Sequence, residues 1–393
     1  MAKQEIRILH TADLHIGTRF SSFPDREVRD VLRSEQSKIL LELAEAVNRE
    51  AIDLVLIAGD LFDRPDVEEQ IVERVKNRLA ELPCKVHICA GNHDPYLEGS
   101  FWEGQWPNNV HIVPQTEVES YYYEDLGILV DSISFADIYT RESLYRTPDS
   151  KDVPSDTLRL LMLHGDFNLE LGTSDYNPIP LTSVKAKGYD YIALGHIHLA
   201  QSGELGYRDA TYAYSGAPQG RGFDELGQGH FRIGRFVHDE AMNRYVQAWS
   251  KYILNTRPFF IRTIPISDAE NEEEIQQAVE EALAKWEEEL EVDLKRAILR
   301  LVFVGTPRLK FKIDLLHHQE VLKSLGYFYV EIRDETRAPI DLDRLSKLSG
   351  FGQVLVQQVA ELKANANSDE ERARVDRALD LLLRTHERSS NET

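Results

Sequence analysis

Leu54-Val55-Leu56-Ile57-Ala58-Gly59-Asp60-Leu61-Phe62-Asp63 runs five apolar side chains into a glycine and then two carboxylates. A short apolar run stopped by glycine reads as a buried strand. The glycine permits a sharp turn and close backbone approach. Asp60 and Asp63 therefore stand on a loop at the carboxyl end of a strand, where α/β sheets bind their ligands. The same pattern recurs along the chain. Residues 6–9 lead to Asp13-Leu14-His15, and 86–90 to Gly91-Asn92-His93-Asp94. Residues 158–163 lead to His164-Gly165-Asp166, and 191–194 to Gly195-His196-Ile197-His198.

Between these strands lie stretches of helical period. Leu32, Ile39, Leu40, Leu43 and Val47 predict one helix over 31–49, and Ile71, Val72, Val75 and Leu79 another over 67–82. Strands alternating with helices imply an α/β layered core. Residues 128–133, 211–214, 230–237 and 245–249 read as further strands of the same domain. The composition shifts near Pro258. An acidic helix over 267–292, with Ile275, Val279, Leu283, Trp286 and Leu290 facing inward, sits among strand-like runs at 259–264, 297–304 and 327–332. After Pro339 the chain turns helical: Leu355, Val359 and Leu362 share one face. Ser368 with Glu371 forms a capping box before Val375, Leu379 and Leu382, and the last five residues read as frayed. The expected domains are 1–253, 254–337 and a helical tail, 338–393.

The 393 residues are 42% hydrophobic and 28% charged, which excludes a disordered chain. No apolar run approaches a membrane span, and the first residues carry no signal-peptide pattern. Cys84 and Cys89 make no disulfide framework and read as packing residues. A cytoplasmic protein in a reducing compartment is the expectation. The formal charge of −22 argues against a free-standing nucleic-acid binder, which is normally basic. Bound divalent ions, local basic patches or a partner subunit can offset that charge.

The five motifs offer Asp carboxylates, His imidazoles and one Asn carbonyl, with no thiolate. Mixed oxygen and nitrogen ligands suit Mn²⁺, Fe²⁺ or Zn²⁺ better than Ca²⁺. Seven candidates (Asp13, His15, Asp60, Asn92, His164, His196 and His198) exceed the needs of one ion. With one bridging carboxylate they divide into two four-ligand halves. A metal pair of that kind can clamp a phosphoryl oxygen and hold a hydroxide, which points to hydrolytic phosphoryl transfer. Any single motif is weak evidence; a lone Asp-x-His is common by chance, and His10, His87 and His111 lie outside the motifs. The set in this order is not readily obtained by chance.

The motif series resembles that of the calcineurin-like metallophosphoesterases. Within them the chain looks most like the SbcD group, the bacterial nuclease subunit of a DNA double-strand-break repair complex. Ile8-Leu9-His10-Thr11-Ala12-Asp13-Leu14-His15-Ile16-Gly17 is similar to the group's first motif. Tyr214-Ser215-Gly216-Ala217-Pro218, followed by Arg221-Gly222-Phe223-Asp224-Glu225, is similar to a segment after its last one. The resemblance covers about residues 5–253. It implies a layered β-sandwich core flanked by helices, a small α/β capping domain and C-terminal helices. It also implies two divalent ions, Mn²⁺ foremost. Asp13, His15, Asp60 and His198 would hold one, and Asp60, Asn92, His164 and His196 the other. His93 would face the scissile phosphate, with Asp94 orienting it. Asp63 stands where archaeal and eukaryotic relatives carry His. The implied partners are DNA, a second copy of the chain joined through helices within 64–105, and an SbcC-type coiled-coil ATPase bound by the C-terminal helices. The alternative is a phosphodiesterase or phosphatase acting on a small nucleotide or phosphoprotein; a catalytically silent scaffold is disfavoured because no ligand position is missing.

Overall fold

The structure is a computed structural model. It describes residues 5–115, 117–149, 151–167, 174–185, 187–207, 209–307, 312–337, 350–366, 368, 371–372, 374–375 and 378–379. The reading of the chain just after Pro339, and those of Leu382 and the last five residues, fall outside them. By their contacts the chain divides into two units. One comprises Met1–Arg262, Val292–Arg300 and Val321–Glu331; the other comprises Thr263–Glu291, Leu301–Glu320 and Ile332–Thr393.

The first unit is built on two six-stranded sheets. One sheet holds β1 (Glu5–Thr11), β2 (Leu54–Ala58), β3 (Lys85–Cys89), β4 (Val110–Ile112), β11 (His230–Asp239) and β12 (Arg244–Ile253), in the order β12-β11-β1-β2-β3-β4. The other holds β5 (Glu119–Tyr123), β6 (Ile128–Ser132), β7 (Leu158–His164), β8 (Tyr191–Gly195), β9 (Gln201–Glu204) and β10 (Thr211–Tyr214), in the order β5-β6-β7-β8-β10-β9. The central strands run parallel: β1 to β4 in the first sheet, and β6, β7, β8 and β10 in the second. Antiparallel strands close the edges of the second sheet and one side of the first.

Alternation along each strand explains the sandwich. Ile6, Ile8, Leu54 and Leu56 pack with Ile128, Val130, Leu160, Met162 and Ala193 between the sheets. Leu9, Val55, Ile57, Val86 and Ile88 point the other way, onto α2 (Ile39–Glu50) and α3 (Glu69–Ala80). Leu161, Leu163, Ile192 and Leu194 cover the opposite outer face with Val184 of α4 (Leu181–Lys185). Strands buried on both faces read as continuous apolar runs, which is why β2 is legible at a glance. The helix expected over 31–49 is two helices, α1 (Arg26–Gln36) and α2, broken at Ser37 and Lys38. The apolar spacing continues across the break. At the break, Gln36 turns its buried amide inward to donate to the His15 carbonyl (2.8 Å) and accept from Gly17 N–H (3.1 Å).

Two histidines outside the motifs are sealed in this core. His87 bonds the Tyr123 hydroxyl (2.9 Å) and the Ser132 hydroxyl (2.9 Å), and His10 bonds the Tyr191 hydroxyl (2.8 Å). Burial pushes the His87 imidazole well below its usual range; burial and nearby Arg232 push His10 down to about 3. Both stay neutral in the fold at a pH where the unfolded chain takes up a proton. Stability is therefore lost as pH falls below about 6.5, by about 1.4 kcal/mol per pH unit for each such group. Urea unfolding at stepped pH should show a shallower acid slope for His87→Asn than for the parent. Equal slopes would remove His87 from the account.

The second unit carries all of α5 and most of α6. In α5 (Glu272–Leu290), capped by Asn271 accepting from Glu274 N–H (2.9 Å), Ile275, Val279, Leu283 and Trp286 are buried as expected. Leu290, expected on that face, is exposed, because the helix ends there. β13 (Phe259–Pro265), β14 (Ile298–Gly305) and β15 (Tyr329–Thr336) form a three-stranded sheet in that order. A helix not expected from sequence, α6 (Leu315–Ser324), brings the buried His318 to Glu272 (2.7 Å) and Gln276 (2.8 Å). Leu355 and Val359 of α7 (Phe351–Ala364) pack with Val375 and Leu379. Leu362, expected on the same face, is exposed. Glu371 N–H donates to the Ser368 hydroxyl (3.2 Å), one half of the expected capping box. Among the described residues, no helix is long and apolar enough to cross a membrane.

Candidate metal centre

The five motifs leave the carboxyl ends of β1, β2, β3, β7 and β8 and meet at one edge of the sandwich. Backbone bonds tie their loops together: Asp13 N–H donates to the Gly59 carbonyl (3.1 Å), His15 N–H to the Asp60 carbonyl (3.0 Å) and Gly165 N–H to the Gly195 carbonyl (3.2 Å). Four candidate ligands sit at positive φ: Asp13 (54°), His15 (45°), Asp60 (52°) and His196 (103°). Non-glycine residues rarely adopt that region, and such strain clusters at functional sites. Two glycines are required by close approach. A Cβ on Gly91 would lie 2.2 Å from Asp60 Oδ1, and one on Gly195 would lie 1.9 Å from the Ala58 carbonyl oxygen.

Asp13, His15, Asp60 and His198 each bring a ligand atom within 4.8 Å of the others. His15 Nε2 lies 3.3 Å from His198 Nε2 and 3.6 Å from Asp60 Oδ2; His198 Nε2 lies 3.7 Å from Asp13 Oδ1. On the other side of Asp60, His164 Nε2 lies 3.4 Å from Asp60 Oδ2 and 2.9 Å from Asn92 Oδ1. His196 Nδ1 faces the same Asn92 oxygen at 3.3 Å. All seven expected ligands thus converge, with Asp60 between the two groups.

Several ring orientations are set from behind. His164 Nδ1 donates to the Ala58 carbonyl (2.8 Å), which turns Nε2 toward Asp60. His198 Nδ1 donates to Glu225 (2.7 Å), leaving its Nε2 toward Asp13. The Asp13 carboxylate accepts from His196 N–H (3.0 Å), and Asp60 Oδ1 accepts from His93 N–H (2.9 Å). Asp60 Oδ2 is buried without a hydrogen-bond donor, and so is His15 Nδ1 without a partner. A buried charge left this way is costly unless a cation answers it.

The electrostatics carry the same demand. Burial would raise the Asp60 carboxyl, but His164 and His15 beside it hold it far below the usual range. Burial would lower His164, yet the Asp60 carboxylate carries it up to about 9. Burial pushes His15 well below its range, and burial with neighbouring His164 brings His196 down to about 4. Burial raises Asp13. The orphaned Asp60 Oδ2, faced by Nε2 of His15 and of His164, fits a divalent cation, which would take over the role of the His164 proton.

Asp94 differs from expectation. Its carboxylate is wholly buried and accepts from Phe62 N–H (2.9 Å) and Gly91 N–H (2.8 Å), so it braces two loops and does not reach the His93 ring. The His93 imidazole is held instead by the Asp63 carbonyl, 3.1 Å from Nδ1. A carbonyl only accepts, so Nδ1 carries the proton and Nε2 is left free. Asp63 accepts from Thr18 (2.9 Å) and Arg221 (3.3 Å) and lies 3.7 Å from His15 Nδ1. Cys84 and Cys89 are buried free thiols.

Sequence reading missed three supports. Glu225 binds His198 and accepts two bonds from the Arg221 side chain (3.1 and 2.9 Å). Burial would raise its carboxyl, but His198 and Arg221 bring it down to about 2. Asp166 lies 3.6 Å from His196 Nε2, and Gln36 holds the His15 backbone. Glu225→Gln should weaken Mn²⁺ affinity or turnover by about 10–100-fold, the usual cost of losing the group behind a metal-ligating His. Metal titration with a turnover assay reads this; parental values would show that Glu225 does not act through His198.

Residues 6–200 match the family of calcineurin-like phosphoesterases, and this part of the chain is a domain of that family. Among its relatives is the uncharacterized metallophosphoesterase YhaO of Bacillus subtilis, 26% identical over 371 residues, covering 88% of this chain and 86% of YhaO. The SbcD component of the SbcCD nuclease of Staphylococcus epidermidis is 22% identical over 266 residues, 61% of this chain and 68% of that one. The DNA double-strand break repair protein Mre11 of Saccharolobus solfataricus is 22% identical over 395 residues, 93% of this chain and 96% of Mre11. The chain therefore has the site of a metal-dependent phosphoesterase.

Proposed function

We propose that the protein is a two-metal DNA nuclease, an exonuclease and single-strand endonuclease, hydrolysing phosphodiester bonds in double-strand-break repair. The observation that carries the hydrolytic part is the buried Asp60 carboxylate flanked by two groups of Asp, His and Asn donors. Asp13, His15, Asp60 and His198 would hold one ion, and Asp60, Asn92, His164 and His196 the other. When bound, such a pair supplies positive charge to the phosphoryl oxygens and makes water a nucleophile at neutral pH. Mn²⁺ is the foremost candidate, with Fe²⁺ and Zn²⁺ compatible with the same donors. His93, its Nδ1 proton engaged by the Asp63 carbonyl, presents Nε2 to the substrate. There, as an imidazolium carrying a second proton on Nε2, it would stabilise charge or pass that proton to the leaving oxygen and return to the neutral Nδ1–H ring. Asp94 contributes by holding the Gly91 and Phe62 backbone around it.

DNA as substrate is supported by two relatives whose names speak of a nuclease and of DNA double-strand break repair. The domain division at 253 and 337, a cytoplasmic homodimer joined within 64–105, and an SbcC-type ATPase bound through C-terminal helices belong to the same proposal. In α7, Val354 and Leu362 are 60% and 56% exposed, a surface suited to a partner groove. The test is cleavage of linear DNA and single-stranded circles with Mn²⁺, with and without a cognate coiled-coil ATPase. Cleavage supports the reading. Hydrolysis of small phosphodiesters alone, even with the ATPase present, contradicts it and favours a small-nucleotide phosphodiesterase.

A further inference from the structure

A hollow of about 580 Å³ lies beside the metal centre in the first unit, between α1, α3 and the loops that follow β1 and β2. Arg19, Arg29, Arg33, Arg64 and Arg74 line it, and Glu68 is the single carboxylate among its lining residues. Lysine and arginine together make up 45 of the 393 residues. Five arginines among thirteen lining residues is more than three times that share. In a chain of net charge −22, such a concentration needs a reason.

The hollow is joined to the metal site through the chain itself. Arg19 follows His15 by four residues, and Arg64 follows Asp60 by four. Thr18, Arg19, Ser21 and Arg64 line both this hollow and a second one, of about 720 Å³, whose wall includes Asp63, Arg221 and Glu225. The floor is Gln36, the same buried amide that grips the His15 backbone.

The arginines are not all spent on neighbours. Arg33 pairs with Asp30, and Arg64 with Asp66 (2.9 Å). Arg29 donates to the Phe23 and Pro24 carbonyls (2.6 and 2.9 Å), which fixes it without neutralising it. Among the described residues the Arg19 and Arg74 side chains make no hydrogen bond or ion pair, and both residues are exposed. Guanidinium groups suit phosphate because they offer paired donors in one plane.

We propose that this hollow is a phosphate-binding subsite, seating backbone phosphates of a nucleic-acid strand beyond the bond held at the metal centre. The inference rests on the nuclease reading and adds to it a track along which the strand leaves the site. It also accounts for how an acidic chain engages a polyanion: the repulsion is overcome locally, on the loops that bear the metal ligands.

The experiment measures binding of a short labelled, hydrolysis-resistant phosphorothioate strand to the Mn²⁺-loaded full chain by fluorescence anisotropy over a range of salt. Arg19→Ala with Arg74→Ala should weaken binding and make the slope of log K against log[salt] shallower by about 1.4, roughly 0.7 for each phosphate no longer neutralised. Arg19→Lys with Arg74→Lys should restore most of the slope. A thermal melt matching the parent establishes that the alanine variant is folded. An alanine variant with the parental slope and affinity overturns the subsite while leaving the nuclease reading intact. A lysine variant as weak as the alanine variant overturns a charge-based role. If the parent binds no strand yet hydrolyses a small diester, the subsite and the nuclease reading fall together.

Discussion

Asp60→Ala is expected to lower phosphodiester hydrolysis by at least about a thousandfold, beyond the roughly 10²–10³ lost with a single transition-state hydrogen-bond donor. The reason is position. Asp60 Oδ2 lies 3.6 Å from His15 Nε2 and 3.4 Å from His164 Nε2, so both donor groups depend on it. Its other oxygen accepts from His93 N–H. Alanine would remove the proposed shared ligand and loosen the loop bearing His93. Asp60→Asn keeps the size and the acceptor toward His93 but halves the anionic character of the site. It should fold like the parent and still lose most Mn²⁺. Metal content per chain after dialysis, measured beside turnover, reads both variants. Full metal content with near-parental turnover in Asp60→Asn would contradict a bridging role.

His93→Ala has the second largest expected effect, a loss of turnover of about 10²–10⁴, the range for removal of a general acid. Metal content should stay parental, because none of the His93 side chain is needed to complete either donor group. The leaving group separates its two possible tasks. If His93 protonates the leaving oxygen, the loss should be large for DNA, whose alkoxide needs a proton. It should be small for an aryl diester with a nitrophenolate, which does not. Equal losses on both substrates would assign His93 to charge stabilisation alone, and unchanged turnover would contradict both tasks.

Much of the core is legible because its strands are buried on two faces. Residues 54–58 and 211–214 have the same bounds in the sequence pattern and in the structure. The edge strands are harder. β9 is Gln-Ser-Gly-Glu and largely exposed, so nothing local marks it; pairing with β10 makes it a strand. The break between α1 and α2 is hidden for a related reason. The apolar period runs through it, and the bond that Gln36 makes at the break reaches His15, 21 residues away in sequence.

The candidate ligands are legible because each follows an apolar run directly, and the structure brings all seven together. Their supports are not. Glu225 lies 27 residues beyond His198 and Arg221 lies 158 beyond Asp63, and neither follows a strand end. The signal that exists is the Arg221-Gly222-Phe223-Asp224-Glu225 segment, whose resemblance to relatives assigns it no task. Asp94 shows the opposite error. Adjacency to His93 suggests a hydrogen bond to the ring, whereas its buried carboxylate is taken up by two backbone N–H groups.

The most direct measurement is anomalous scattering from crystals grown with Mn²⁺, recorded at the manganese edge. Two peaks roughly 3.5–4 Å apart, flanking the Asp60 carboxylate, are the expected result, one toward His15 and His198, the other toward His164 and His196. A single peak, or none within reach of Asp60, would contradict the paired-ion site on which the proposed chemistry depends.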